Sequence, residues 1–433
     1  LKKLTLYSLA SIGKSPTMNS RFNKKNLREQ MMPSLLKSVT YAVRQTRQGA
    51  RNAINRRKNP EQYHLQDKTT RIELFREGLF SVHYYPPLEE NRVDIGNATI
   101  PVKKQAFAIP VLMVPPLGVY AWIFDLMAER SLVRFFLARG FQVYLIDWGK
   151  PGRGEAALSL ETYTLTWFPK AVQAVQAHSG QRELSLLGYC MGGLLSLMYT
   201  AARGSDVIRN IVTIASPVNM HQMSNGVGKL SFLLSGPTGL IRRVTGPQLS
   251  KLDPSLFHVD GKVLSLLFKA TAPLGAVTSY IDLVRNLADD DYVSRYMTMN
   301  EWFTNMPDYP GATVLEMIQK LGIANRMNRG YFKLAGQEVS FKNIKSALLA
   351  FAGDNDVITT IPSASAVMSV VGSLDKTFQV VPGGHAGVFT GSRAAHSTWV
   401  IAADWLALRS EASTVDLPVA QAERAVPVAS DAS

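Results

Sequence analysis

The stretch Leu184-Ser185-Leu186-Leu187-Gly188-Tyr189-Cys190-Met191-Gly192-Gly193-Leu194-Leu195 decides how the rest of the chain is read. An apolar run enters Gly-x-Cys-x-Gly-Gly and an apolar helical pattern leaves it. The expected structure is strand, sharp turn, helix, with the only cysteine of the chain at the apex. In a nucleophile elbow the reactive residue occupies a strained strand-to-helix turn, and glycines two positions to either side let the backbone pass without a Cβ clash. Gly188 and Gly192 stand at those positions, and Cys190 stands where such elbows usually carry serine. A short glycine motif also occurs by chance, and a free cysteine often packs as a small hydrophobe. The flanking sequence has to decide between the two.

Working outward, apolar runs at residues 107–114, 141–146, 184–189, 211–215, 347–352 and 377–381 read as strands buried on both faces, the pattern of a parallel sheet. Helical patterns separate them at 125–139, at 161–178 with a kink at Pro169, at 194–202 and at 398–408. An alternating pair between residues 70 and 85 reads as two opening strands. Alternating strands and helices imply right-handed crossovers on a parallel sheet. The alternation stops near Ser216 and resumes near Ser346. The expected organisation is a basic, partly helical or flexible N-terminal segment at 1–69, the first part of the core at 70–215 and a mainly helical cap or lid at 216–345. The second part of the core follows at 346–410, and a disordered tail at 411–433.

The chain has 433 residues, 46% of them hydrophobic and 18% charged, which suits a globular protein with a substantial core. A single cysteine excludes an intramolecular disulfide and gives no sign of an oxidising compartment. No run of about 20 apolar residues is present, so no transmembrane helix is expected; the expected location is cytoplasmic. The net charge of +14 is concentrated at one end, since residues 1–60 hold 14 Lys and Arg against one acidic residue, Glu29. With few aromatics to stack on bases and no nucleic-acid motif, this segment reads as a solvated arm, and no nucleic-acid partner is expected. Lys2 and Lys3 precede only a mixed apolar run broken by Lys14 and Pro16, so no secretory signal is expected. The sequence opens on Leu1 with Met18 downstream, so the first 17 residues are expected to reflect an unusual start codon or an overlong gene call.

Three residues at the carboxyl ends of successive expected strands follow the order nucleophile, acid, histidine: Cys190, Asp356 and His385. That is the chain order of an α/β-hydrolase triad, and loops beyond the carboxyl ends of parallel strands are where such sheets hold ligands. A free thiol with pKa ~8.5 is mostly protonated at neutral pH, and an adjacent imidazole can take its proton. Of the seven histidines, only His385 sits in a glycine-rich turn directly after an apolar strand; His396 is the fallback. A carboxylate would fix the imidazole tautomer. Asp356 is preferred over Asp354, which suits a turn role. The oxyanion of carbonyl attack would take the N–H of Met191 and one from the loop after Pro115. Pro115 and Pro116 have none to give, so Leu117 is the expected second donor and Gly118 the alternative.

The Gly-Tyr-Cys-Met-Gly-Gly box resembles the lipase-like box of polyhydroxyalkanoate synthases. Residues 124–134, Phe-Asp-Leu-Met-Ala-Glu-Arg-Ser-Leu-Val-Arg, are similar to that family's Leu-Asp-Leu-x-Pro-x-x-Ser-Leu-Val-Arg segment. Asp147-Trp148-Gly149-Lys150-Pro151 resembles its Trp-x-x-Pro turn, and Pro382-Gly383-Gly384-His385 its histidine turn. The similarity covers about residues 107–219 and 340–410 and is strongest to the short, two-subunit class. It implies Cys190 as acyl-thioester nucleophile, His385 as general base and Asp356 as its partner. The implied substrate is a 3-hydroxyacyl-coenzyme A, whose hydroxyl extends a polyester chain at a granule surface, with no bound cofactor beyond that thioester substrate. Homodimerisation and a noncatalytic second subunit are also implied. Two departures stand out: Val357 replaces the histidine the family usually carries after its aspartate, and the Pro-Pro-Leu-Gly loop lacks the family's asparagine. A thioesterase or depolymerase of the same fold and a noncatalytic granule-associated protein are the alternatives.

Overall fold

The computed structural model describes residues 24–223, 252–270 and 273–410. The expectations for the first 17 residues, for the tail at 411–433 and for cap residues 224–251 lie outside the described residues. The chain opens with helix α1 (Lys24–Lys58), then β1 (Ile72–Glu77), β2 (Phe80–Tyr85), β3 (Arg92–Ile95), β4 (Ala98–Pro101) and β5 (Val111–Val114). Next come α2 (Leu132–Ala138), β6 (Val143–Asp147), α3 (Phe168–Ser179), β7 (Leu184–Tyr189), α4 (Met191–Tyr199) and β8 (Ile208–Ile214). Helices α5 (Gly261–Ala270), α6 (Pro273–Arg285), α7 (Asp290–Thr304) and α8 (Gly311–Glu316) fall in the stretch expected to form the cap. The chain then returns through β9 (Tyr331–Leu334), β10 (Gln337–Ser340), β11 (Ala347–Gly353) and β12 (Lys376–Val381) to a last helix, Thr398–Ala407.

Eight strands form one sheet in the order β1-β2-β6-β5-β7-β8-β11-β12. The β1/β2 and β2/β6 pairs are antiparallel and the rest are parallel. The central strands are buried on both faces, as their unbroken apolar runs require. Leu112, Val114, Leu184 and Leu186 join the core on one side of the sheet, and Val111, Met113, Leu187 and Tyr189 the core on the other. This is the expected α/β-hydrolase architecture.

Three elements differ from the sequence reading, each for a local reason. The strand expected at 107–114 shortens to Val111–Val114, because Pro110 has no N–H for the ladder and Phe107 turns away to stack on Phe141, 4.6 Å between ring centres. The helix expected from residue 125 begins only at Leu132. Asp125, 2% exposed, instead accepts hydrogen bonds from the Thr69 N–H (2.8 Å), the Thr69 hydroxyl (2.8 Å) and the Ser131 hydroxyl (2.6 Å). Ser131 in turn caps α2 by accepting from the Arg134 N–H at 3.0 Å. The Asp and Ser of that family-like segment are therefore a buried clamp joining the N-terminal segment to the core. Asp125→Ala leaves three donors without their acceptor and is expected to lower stability by about 2–4 kcal/mol, read from the midpoint of urea denaturation. Finally, the kink at Pro169 takes the form of a π-helical segment, Thr162–Trp167, running into α3, since a proline cannot donate an intrahelical bond. The sequence reading did not anticipate the antiparallel hairpins β3/β4 and β9/β10, whose four-residue strands are too short to show a period.

Candidate functional site

The chain leaves β5 for β6 on one side and returns to β7 on the other, so the order of the sheet reverses between β5 and β7. At such a switch point the loops at the carboxyl ends of the two strands part and leave a crevice. The loop after β5 begins at Pro115, and the residue after β7 is Cys190.

Cys190 sits at φ 50° and ψ −117°, a conformation rarely adopted by a side-chain-bearing residue. It is held there by its N–H, which donates to the Ile214 carbonyl at 2.8 Å on the neighbouring strand. The turn can be this tight only because its flanks lack side chains. A Cβ on Gly188 would lie 2.5 Å from the Gly193 nitrogen, and one on Gly192 would lie 2.0 Å from the Val114 carbonyl oxygen. The second contact also brings the loop after β5 against the start of α4. Cys190 is the sole cysteine and is half-buried.

His385 and Asp356 meet below it. His385 Nδ1 lies 2.9 Å from Asp356 Oδ2, and an ionised carboxylate can only accept, so Nδ1 carries the proton and Nε2 is left for the sulfur. The other carboxylate oxygen, Oδ1, accepts from the Ile358 and Thr359 N–H groups, both at 2.8 Å. The Asp356 side chain is fully buried and that of His385 is 7% exposed. Burial alone would disfavour a charged imidazole. The electrostatic interaction with Cys190 and the hydrogen bond to Asp356 outweigh it and push His385 up to about 10. Asp354 is exposed and does a different job: Oδ1 accepts from the Gly383 N–H at 2.8 Å and so pins the histidine turn. His396 is far from this arrangement, exposed and packed on Gly96 of the β3/β4 hairpin. Val357, where the related family has histidine, is 52% exposed.

Met191 is the first residue of α4, so its N–H has no partner within the helix and lies at the positive end of the helix dipole. Leu117 is buried in the loop opposite, in the same apolar cluster as Met191. That loop is fixed from behind by Trp148, whose indole N–H donates to the Pro115 carbonyl at 2.9 Å. The Trp of the Asp-Trp-Gly-Lys-Pro turn thus supports the loop from which a second oxyanion donor would come.

Two tyrosines at the site escaped the sequence reading. The Tyr189 hydroxyl donates to the His385 carbonyl at 3.1 Å, and its ring stacks on Phe389 at 4.3 Å; being next to the cysteine was the only signal. Tyr309 comes from the connection between α7 and α8. Its ring lies over Gly118, where a Cβ would be 2.9 Å from Cε2 and 3.1 Å from the hydroxyl oxygen. Its backbone exchanges hydrogen bonds with Val259 at 3.1 and 2.9 Å. The preceding Asp308 accepts from the Gly261 N–H at 2.7 Å and lies 2.9 Å from His258 Nε2. Nothing in the sequence pattern marks Tyr309, because a residue of the stretch between β8 and β11 reaches the site only through tertiary packing. Among the described residues no helix is long and apolar enough to cross a membrane.

Known proteins resemble this chain along most of its length. The poly(3-hydroxyalkanoate) polymerase subunit PhaC of Allochromatium vinosum is 29% identical over 303 residues, covering 70% of this chain and 81% of that protein. The protein of the same name from Haloferax mediterranei is 28% identical over 327 residues, which is 74% of this chain and 63% of that one. The resemblance to polyhydroxyalkanoate synthases is therefore borne out over about seven-tenths of the chain. Among solved structures, a soluble variant of monoglyceride lipase from Saccharomyces cerevisiae aligns with a TM-score of 0.47 at 15% identity, over 78% of this chain and 96% of that one. The model of the alpha/beta hydrolase fold matches residues 118–392, and with the sheet order and the elbow already described, the chain belongs to that family.

Proposed function

We propose that this protein is an acyltransferase that polymerises 3-hydroxyacyl-coenzyme A into polyhydroxyalkanoate and releases coenzyme A, with the growing acyl chain carried on Cys190. The observation that carries this reading is the strained Cys190 standing over a buried His385–Asp356 pair, in a chain similar to polymerase subunits. Cys190 gives its thiol proton to His385 Nε2, its sulfur attacks the thioester carbonyl carbon, and the carbonyl electrons move to oxygen near the Met191 and Leu117 N–H groups. The tetrahedral adduct collapses, the bond to the coenzyme A sulfur breaks, and His385 protonates the departing thiolate. The product is again a thioester, so this exchange is close to balanced in energy. In the second half, the 3-hydroxyl of another acyl unit gives its proton to His385 Nε2 and attacks the Cys190 thioester. An oxygen ester forms and the sulfur is released. Water is the competing acceptor. The near-complete burial of His385 and Asp356, with cap residue Tyr309 over the loop after β5, favours acyl transfer over hydrolysis.

The relatives carry the word subunit in their names. A noncatalytic second subunit, homodimerisation and residence at the granule surface belong to the same proposal. The test supplies purified protein with 3-hydroxybutyryl-coenzyme A, measures released thiol and looks for polymer, with and without a coexpressed candidate subunit. Thiol together with polymer is expected. Thiol together with only free hydroxy acid would identify a thioesterase or depolymerase, and neither product under any of these conditions would leave the noncatalytic reading.

A further inference from the structure

Resting on the reading of Cys190 as the acyl carrier, we propose that Tyr309, a residue of the cap, is a catalytic residue whose hydroxyl donates a hydrogen bond to the carbonyl oxygen when the Cys190 sulfur attacks. Three observations converge on it. First, the ring covers Gly118, and the hydroxyl oxygen stands 3.1 Å from where a Gly118 Cβ would be, in the loop that offers a second oxyanion donor. Second, the phenol lies within electrostatic reach of Cys190, and its one hydrogen can be donated to an oxygen held there. Third, the position is held rather than accidental. Reciprocal backbone bonds tie Tyr309 to Val259, and Asp308 beside it is bound by the Gly261 N–H and His258. Burial, and then the nearby charge of Cys190, push the phenol above its ordinary range, so it remains a neutral donor wherever the enzyme works.

In the step itself a carbon–sulfur bond forms, the carbonyl π pair moves to oxygen, and Tyr309 shares its proton with that oxygen without losing it. Collapse of the adduct returns the pair and expels the coenzyme A sulfur, which takes its proton from His385. A donor delivered by the cap makes the oxyanion site complete only when the cap is seated.

Tyr309→Phe removes the hydroxyl and keeps the ring. It is expected to slow coenzyme A release by about 10²–10³ in kcat, the usual effect of losing one oxyanion donor, with KM nearly unchanged. A second readout does not depend on the acyl acceptor: a short-chain trifluoromethyl ketone adds to a thiol to give an anionic hemithioketal. Tyr309→Phe is expected to bind it about 10²-fold more weakly than the wild-type protein, and Cys190→Ala to give no adduct. Unchanged ketone affinity and kcat in Tyr309→Phe would overturn the proposal, as would faster release, which would make the phenol a plug. A ketone that binds Cys190→Ala as well as wild type would instead overturn the reading of Cys190 itself.

Discussion

Cys190→Ala is expected to abolish coenzyme A release altogether, because it removes the only thiol of the chain, the group proposed to receive the acyl unit. The loss should exceed that of any other single change, about 10⁶-fold where nucleophile removal has been measured in a triad enzyme. The same variant carries an electrostatic consequence with a definite sign. The charge on Cys190 is the largest influence raising His385, which stands at about 10 in the intact site. Without it a main influence raising the imidazole is gone, and His385 is expected to titrate at lower pH. Following the His385 ring signals by NMR across a pH series in both proteins checks this, and an unmoved midpoint would mean that sulfur and imidazole do not interact.

Asp356→Asn is expected to lower kcat by about 10⁴, the effect known for the aspartate of a serine-protease triad. The amide can present its NH₂ to Nδ1 and favour the wrong tautomer, turning the protonated nitrogen toward the sulfur. It also weakens acceptance of the Ile358 and Thr359 N–H groups. Asp354→Asn is the control. It keeps an oxygen for the Gly383 N–H and has no contact with the imidazole, so its effect should stay within about tenfold. A reversal of the two effects, measured as thiol release at saturating substrate, would move the acid role to Asp354.

The contrast between these two carboxylates shows what a sequence can convey about such a site. Cys190, Asp356 and His385 are legible because each follows an apolar strand with a glycine within three positions, so period and turn chemistry place all three at one end of the sheet. The preference for Asp356 over Asp354 follows from its place deeper in the turn, but the specific job of Asp354, accepting from the Gly383 N–H, comes from tertiary packing that residue types do not encode. Asp125 and Ser131 look helical because their neighbours have helical spacing, yet a buried carboxylate with three donors overrides propensity. Tyr309 carries no local signal at all: it is 119 positions from Cys190 in the sequence, and only the folding of α7 and α8 onto the core brings it near. Trp148 lies between these cases, since its turn was conspicuous while the carbonyl it holds was not.

The basic N-terminal helix has a practical meaning for anyone shortening this protein. It is not a detachable arm along its last turns. Asn52, 1% exposed, donates to the Leu287 carbonyl at 2.8 Å and to Asp290 at 2.7 Å, and accepts from the Tyr63 hydroxyl at 3.0 Å. Tyr63 also packs with Leu283, Val293 and Met297 of α6 and α7. A truncation ending after Asn52 would strip Leu287 and Asp290 of this partner, and any lost activity would report a loosened α6–α7 pair rather than a missing patch of positive charge. A cut made before Gln48 removes Arg44 and the basic residues upstream of it while sparing the joint, and is the deletion that separates the two effects.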